Sequence, residues 1–293
     1  MLLLQVLPTH SNILLLLYFF MNNEKNINKA KQLLKEADAI FITAGAGMGV
    51  DSGLPDFRGM DGFWNAYPIA KELGLQFEEM ANPEWLESNP SLAWAFYGYR
   101  LQLYRDTTPH KGFQKLLELS NTKKYGSFVF TSNVDGQFQL AGFKDARVME
   151  CHGSIHNLQC IDNCQGMIWS SDDTFIEIEE RLKAKDPLPS CPFCGAMARP
   201  NILMFGDYGW EYARTDGQRE RLVKWMDHIE EEGGKIAIIE IGAGTAVPTV
   251  RNTSDQIAKR FSVPVIRINT RESSGAEIAL AMGAVEALEK IIP

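Results

Sequence analysis

The sequence predicts an α/β fold: an open parallel sheet with helices between its strands, carrying a small cysteine-bearing module as an insert. Three observations predict it. Short apolar runs end in Gly or in polar loops and alternate with amphipathic stretches, the pattern of strands buried on both faces. Four of the five cysteines fall in two close pairs within one 40-residue stretch. The chain has 293 residues, 45% of them hydrophobic and 23% charged, which excludes a disordered or fibrous chain and allows one large or two smaller domains. With 29 Lys and Arg against 37 Asp and Glu, the net charge of −8 disfavours nucleic acid as the main partner.

The first twenty residues, MLLLQVLPTHSNILLLLYFF, are Leu-rich and carry no Lys, Arg, Asp or Glu. They lack the positive n-region of a signal peptide. Pro8, His10, Ser11 and Asn12 interrupt them, so they make a poor membrane span. Met21 opens an ordinary soluble start, and residues 1–20 are read as a doubtful extension. A vestigial anchor and a helix packed on a partner are the alternatives.

Residues 25–36 then read as a helix with Ile27, Ala30, Leu33 and Leu34 on one face. Residues 39–43 read as a buried strand running into a glycine-rich loop. A helical, aromatic-rich segment covers 84–105 within a helical region of about 60–110. Residues 128–131 are a strand, and 159–198 hold the cysteine pairs. A charged helix is expected at 211–232, with strands at 236–241 and 263–268. Ligands of an open parallel sheet bind at the carboxyl ends of its strands. Loops at 45–58, 131–135 and 242–245, together with Asn269, are therefore expected to converge on one crevice.

The glycine loop reads GAGMGVDSGLPDFRG over 45–59. Glycines after a strand let backbone N–H groups approach a phosphate. Yet a G-x-G-x-x-G frame from Gly45 meets Val50, and one from Gly47 meets Ser52. Neither frame suits a dehydrogenase, and no Lys-Ser/Thr completes a P-loop. The longer string closely resembles the sirtuin signature G-A-G-I-S-x-x-S-G-I-P-D-F-R, with Gly49 where that family usually has Ser.

The resemblance extends over about 25–290. Thr131-Ser132-Asn133-Val134-Asp135 is similar to the family's T-Q-N-I-D, with Ser132 replacing Gln, and Gln137-Phe138 stands where Leu-His is usual. His152-Gly153 resembles its catalytic H-G segment, and a histidine titrating near neutrality suits a general base. His110 and His156 are read as structural, and Cys151 as a packed thiol. Residues 199–207, RPNILMFGD, resemble R-P-x-V-V-x-F-G-E. The 242–248 loop resembles the family's G-T-S stretch with Ala246 for Ser, and Ile268-Asn269 its I-N pair.

This resemblance implies a Rossmann-like domain over 21–293 with a small zinc-binding module inserted. It implies NAD as cofactor, bound by Gly45, Ala46, Gly47, Asp56, Phe57, Arg58, Ser132, Asn133, Asp135, His152, Gly242, Gly244, Thr245 and Asn269. Catalysis falls to His152, Asn133 and Asp135. An acyl-lysine protein substrate would lie as an added strand beside Phe205 and Gly206. The implied activity is NAD-dependent lysine deacylation yielding nicotinamide and 2′-O-acyl-ADP-ribose. Mono-ADP-ribosyl transfer or NAD hydrolysis is the alternative, because the departures cluster around the cofactor. A non-catalytic NAD-sensing scaffold is opposed by the intact Asn133, Asp135 and His152.

Cys160, Cys164, Cys191 and Cys194, with 26 residues between the pairs, suit a closed tetrahedral Zn²⁺ site at ~2.3 Å per Zn–S bond. The expected role is structural. Acidic runs in the insert oppose a nucleic-acid zinc ribbon. Free thiols also imply a reducing, cytoplasmic setting, with no membrane role. Finally, residues 89–100 (NPSLAWAFYGYR) resemble the stretch of desuccinylating and demalonylating sirtuins whose Tyr and Arg hold the distal carboxylate. Tyr97 and Arg100, at i and i+3, share a helix face. The alternative is that the stripe is core and Arg100 is solvated.

Overall fold

A computed structural model describes residues 10–56, 64, 68–72, 74–179 and 183–293. Helix α1 (His10–Glu36) leads into β1 (Ala39–Ala44). The expected helix at 25–36 is the second part of this longer one. Helices α2 (Pro68–Glu72), α3 (Phe77–Met80), α4 (Glu84–Ser88), α5 (Pro90–Asp106) and α6 (Lys111–Asn121) precede β2 (Ser127–Thr131). Then come α7 (Gln137–Leu140), β3 (Val148–Glu150), β4 (Gly153–Cys160), β5 (Ile168–Ser170), β6 (Ile178–Glu179), β7 (Lys183–Ala184) and β8 (Ala198–Ile202). The chain closes with α8 (Ala213–Glu231), β9 (Ile236–Ile241), α9 (Thr249–Phe261), β10 (Val265–Ile268), β11 (Ile278–Leu280) and α10 (Ala284–Ile291).

The single helix expected over 84–105 is two. Asn89 breaks it, because its side chain accepts from the Leu92 N–H at 3.3 Å and Pro90 sits at the first helical position.

Six strands form one parallel sheet in the order β11-β10-β9-β1-β2-β3. All residues of β1, β2, β9 and β10 are buried. Alternate side chains serve two cores. Ile40, Ile42, Ile239, Ile241 and Ile266 join the core that takes in α1, α6 and α10. Phe41, Phe128, Ile238 and Val265 join the one that takes in α8 and α9. One polar seam crosses the second face. Glu240 and Arg267, register neighbours on β9 and β10, form a buried ion pair that Asp255 of α9 extends at 3.3 Å. The pair keeps two buried charges neutralised.

A third core, around Trp94, Phe96, Leu158 and Ile202, fills the space between α5 and a three-stranded antiparallel sheet, β5-β4-β8. Trp94 Nε1 donates to the Ala198 carbonyl at 3.2 Å, and Ser91 Oγ to the Ala184 carbonyl at 2.7 Å. These bonds tie the helical region to the cysteine-bearing stretch. Among the described residues, no helix is long and apolar enough to cross a membrane.

The order of the sheet creates the crevice. Connections from β1 run one way to β2 and β3, while β9, β10 and β11 lie on the other side. The loops after β1 and β9 therefore part at the switch point, where open α/β sheets place ligands. They part only after a close contact. Gly45 N–H donates to the Ile241 carbonyl at 2.9 Å, and Gly47 N–H to the Gly242 carbonyl at 3.0 Å. A Cβ at Gly47 would stand 2.7 Å from Gly242 Cα, and one at Gly242, whose φ is 63°, 2.4 Å from Gly47. Gly242→Ala is expected to destabilise the protein by about 2–5 kcal/mol through strain plus overlap, measured by urea denaturation. A cost below about 0.5 kcal/mol would show that the loops can separate freely.

Candidate active site

Two cavities open at the carboxyl edge of the sheet, and Ala46, Leu54, Pro55 and Ala246 line both. The first, of about 440 Å³, lies over the switch point and is walled by Gly47, Asp56, Gly242, Gly244, Thr245 and Asn269. The second, of about 260 Å³, is walled by Tyr97, Arg100, Ser132, Asn133, Asp135, His152 and Phe205. The sequence-predicted residues therefore sort into two chambers with a shared wall. Gly45 and Gly206 line neither. Gly45 supports the loop from behind, against Gly242 and Ala243. Phe57 and Arg58 lie outside the described residues.

In the first cavity, the Thr245 N–H and hydroxyl converge on one position, where both donate to the Glu272 carboxylate at 2.9 Å. An anion therefore already occupies a site built from the donors expected to meet a phosphate. Gly244 beside it leaves open space, its virtual Cβ meeting only Glu272, at 3.7 Å. The residues thus fit a pyrophosphate. The first glycines contribute differently from expectation: the Gly45 N–H is taken by the end of β9 and the Gly47 N–H by the loop after it, so these two glycines serve packing between the chain segments.

The second cavity is organised by the turn after β2. Asn133 Nδ2 donates to the Gly45 carbonyl at 3.0 Å, which ties this turn to the glycine loop. Asp135 Oδ1 accepts from the Gln137 N–H at 3.0 Å, and its carbonyl faces His156 Nε2 at 2.9 Å. Burial pushes the Asp135 carboxyl up to about 6, against the lowering effect of that N–H and of Arg100. His152 follows β3, whose last residue is clamped by α8. Gln218 accepts the Glu150 N–H at 3.0 Å, Thr215 bonds its carbonyl at 3.3 Å, and Arg214 ion-pairs its carboxylate. The His152 carbonyl accepts from the Leu203 N–H at 3.0 Å, which joins the histidine to the rim of the cavity. On that rim Asp207 ion-pairs with buried Arg199 and caps the Met204 N–H at 3.2 Å. Its carboxylate thereby closes the turn that presents Phe205.

The two histidines read as structural hold the loops. His110 Nδ1 accepts from the Gly112 N–H at 3.0 Å, so its Nε2 donates to the Met48 carbonyl at 2.9 Å. Burial lowers its pKa and keeps it neutral for that task. Its own N–H donates to Ser52 Oγ at 2.9 Å, anchoring the glycine loop to α6.

Several site residues were missed. Tyr104 lies four residues after Arg100 and accepts from its guanidinium at 3.0 and 3.2 Å. Helical spacing alone would have found it. Phe77 and Glu78 of α3 and the rim residue Val247 carried no such signal. Arg271 and Glu272 lie two and three residues after Asn269, and an acidic residue beyond a strand end was a usable sign.

The four cysteines meet outside both cavities. Their sulfurs lie within 4.8 Å of one another, with Cys160–Cys194 at 3.6 Å and Cys164–Cys191 at 3.7 Å. Those separations are far too long for disulfides, but they are the edges of a tetrahedron with ~2.3 Å metal–sulfur bonds. The set fits zinc with every position filled by sulfur.

The sequence profile of the Sir2 family matches residues 45–220. The chain belongs to the Sir2 family. A relative from Pyrococcus abyssi named NAD-dependent protein deacylase is 31% identical over 254 residues, covering 86% of this chain and 90% of the relative. One of the same name from Thermus thermophilus is 32% identical over 280 residues, covering 92% and 95%. A solved Sir2 homolog–NAD complex superposes with a TM-score of 0.67 at 26% identity, covering 90% of this chain and 92% of that one. Sir2 homologues solved with ADP-ribose align over similar lengths.

Asp135 binds its proton more tightly in the fold than in the unfolded chain, so stability falls as pH rises from about 4 to about 6. Asp135→Asn keeps the acceptor for Gln137 and removes that loss. It is expected to stabilise the protein by up to about 3 kcal/mol at pH 7 and by nothing at pH 4, read by urea denaturation. An equal difference at both values would show that Asp135 titrates normally.

Proposed function

We propose that this protein is an NAD-dependent protein lysine deacylase, with the nucleotide in the cavity over the switch point and the acyl-lysine in the adjoining one. The observation that carries this reading is the wall the cavities share, since Ala46, Leu54, Pro55 and Ala246 bring the two ligands within reach of each other. NAD supplies the ribose carbon that meets the acyl oxygen and the ribose hydroxyl that finally carries the acyl group. Ala46, Gly244 and Thr245 hold the nucleotide, with Asn269 shaping the turn beyond them. Asn133 and Asp135 enclose the nicotinamide end. His152, on the same cavity wall, takes the proton of the ribose hydroxyl on a ring nitrogen. The half-exposed Leu203 and Phe205 edge receives the substrate backbone as an added strand. The thiolate cluster holds structural zinc, which suits a reducing, cytoplasmic compartment.

The acyl cavity supports a carboxylate-bearing group besides acetyl. Arg100 is only 5% exposed, so the solvated alternative does not describe it. Its guanidinium lies 5.3–5.9 Å from the ring centroids of Phe77, Phe96, Tyr97 and Tyr104. The Tyr97 hydroxyl is buried with no hydrogen-bond partner among the described residues, and burial pushes its pKa up to about 12. An acidic acyl tail would give that hydroxyl an acceptor and lie within reach of the guanidinium.

His152→Tyr is expected to keep the fold and nucleotide binding while acyl removal drops by at least about 100-fold. Arg100→Met is expected to lower kcat/KM for succinyl-lysine about 10- to 100-fold more than for acetyl-lysine. Retained turnover in the first variant would remove His152 from its role, and equal losses in the second would remove the acidic-acyl reading.

A further inference from the structure

The turn after β10 reaches both walls of the nucleotide cavity. Asn269 Oδ1 accepts from the N–H groups of Arg271 at 2.9 Å and Glu272 at 3.0 Å, and its Nδ2 donates to the Ala243 carbonyl at 2.9 Å. The amide thus holds a tight turn that sends two consecutive charged side chains in different directions. Arg271 ion-pairs with Asp56 at the end of the described glycine loop. Glu272 reaches the other loop, where its two oxygens accept from the Thr245 N–H and hydroxyl at 2.9 Å each. Arg251 stands behind it, its guanidinium 3.6 Å from the carboxylate. Both side chains at the tip of the turn are therefore attached across the cleft that the nucleotide has to enter.

We propose that the 269–272 turn is a strap across the nucleotide cavity, with the Glu272 carboxylate as an internal competitor for the pyrophosphate. This rests on the nucleotide reading of that cavity. Thr245 offers one N–H and one hydroxyl, and a carboxylate that fills both leaves neither for a phosphate oxygen. A carboxylate that stayed beside an entering phosphate would also repel it. Seating the nucleotide therefore requires Glu272 to leave Thr245, and the energy of that exchange is subtracted from cofactor affinity. Breaking the Arg271–Asp56 pair removes one of the contacts of the glycine loop at the same time, so the strap couples the two sides of the cleft. Glu272 lowers affinity in this account, whereas a glutamate that accepted bonds from the nucleotide would raise it.

Calorimetric titration of the full chain with ADP-ribose and, separately, with inorganic pyrophosphate tests this in wild type, Glu272→Gln and Glu272→Ala. Both variants are expected to bind each probe about three- to ten-fold tighter, with the gain shrinking as salt is raised. Thermal melts of the unliganded proteins confirm that each variant is folded. Unchanged or weaker binding of both probes by folded Glu272→Gln would overturn the strap. Tighter pyrophosphate binding in both variants, with no ADP-ribose bound by any form, would uphold the strap and remove the nucleotide reading.

Discussion

The structure depends on one steric constraint: two backbone loops must touch at the switch point of the parallel sheet. Gly45, Gly47 and Gly242 are in contact there, and any Cβ would fall within 2.4–2.7 Å of the facing backbone. This contact fixes where the loops after β1 and β9 diverge, and hence where a dinucleotide can sit. The turn after β2 depends on it through Asn133 and the Gly45 carbonyl, and α6 through His110 and Met48. The second cavity is thus assembled on the back of the first.

Polar groups around this contact are held with little slack. Glu150 is gripped on its N–H, carbonyl and carboxylate by three residues of α8, two positions before His152. Asp207 does similar work at the Phe205 rim of the second cavity. The Asp135 carboxyl, raised by burial, and the Tyr97 hydroxyl, without a hydrogen-bond partner among the described residues, both line the second cavity. Groups left costly in the empty protein are where a ligand gains most by binding. Whatever enters this chamber meets a carboxyl raised by burial and a hydroxyl without a hydrogen-bond partner among the described residues.

Much of this was legible in the sequence. The sheet strands are apolar runs because both faces are covered, and such runs announce themselves without any partner. The cysteine pairs and many of the loop residues of both cavities, though not Val247, Arg271 or Glu272, were recognisable from motif and spacing. Other features required the third dimension. The break at Asn89 looks helical by periodicity, and only its capping bond shows the interruption. The glycines were credited to phosphate approach, whereas Gly45 and Gly47 spend their N–H groups on the end of β9 and the loop after it. The pairing of Glu272 with Thr245 joins residues 27 positions apart, and no local pattern carries it.

The most direct measurement is the product stoichiometry of purified protein with NAD and acetyl- and succinyl-lysine peptides, followed by mass spectrometry. Equal amounts of deacylated peptide, nicotinamide and O-acyl-ADP-ribose are predicted, since the two cavities share a wall and His152 lines one of them. Nicotinamide released with the peptides intact, or ADP-ribose found on protein, would contradict the deacylase account and show that the chemistry of the first cavity does not reach the second.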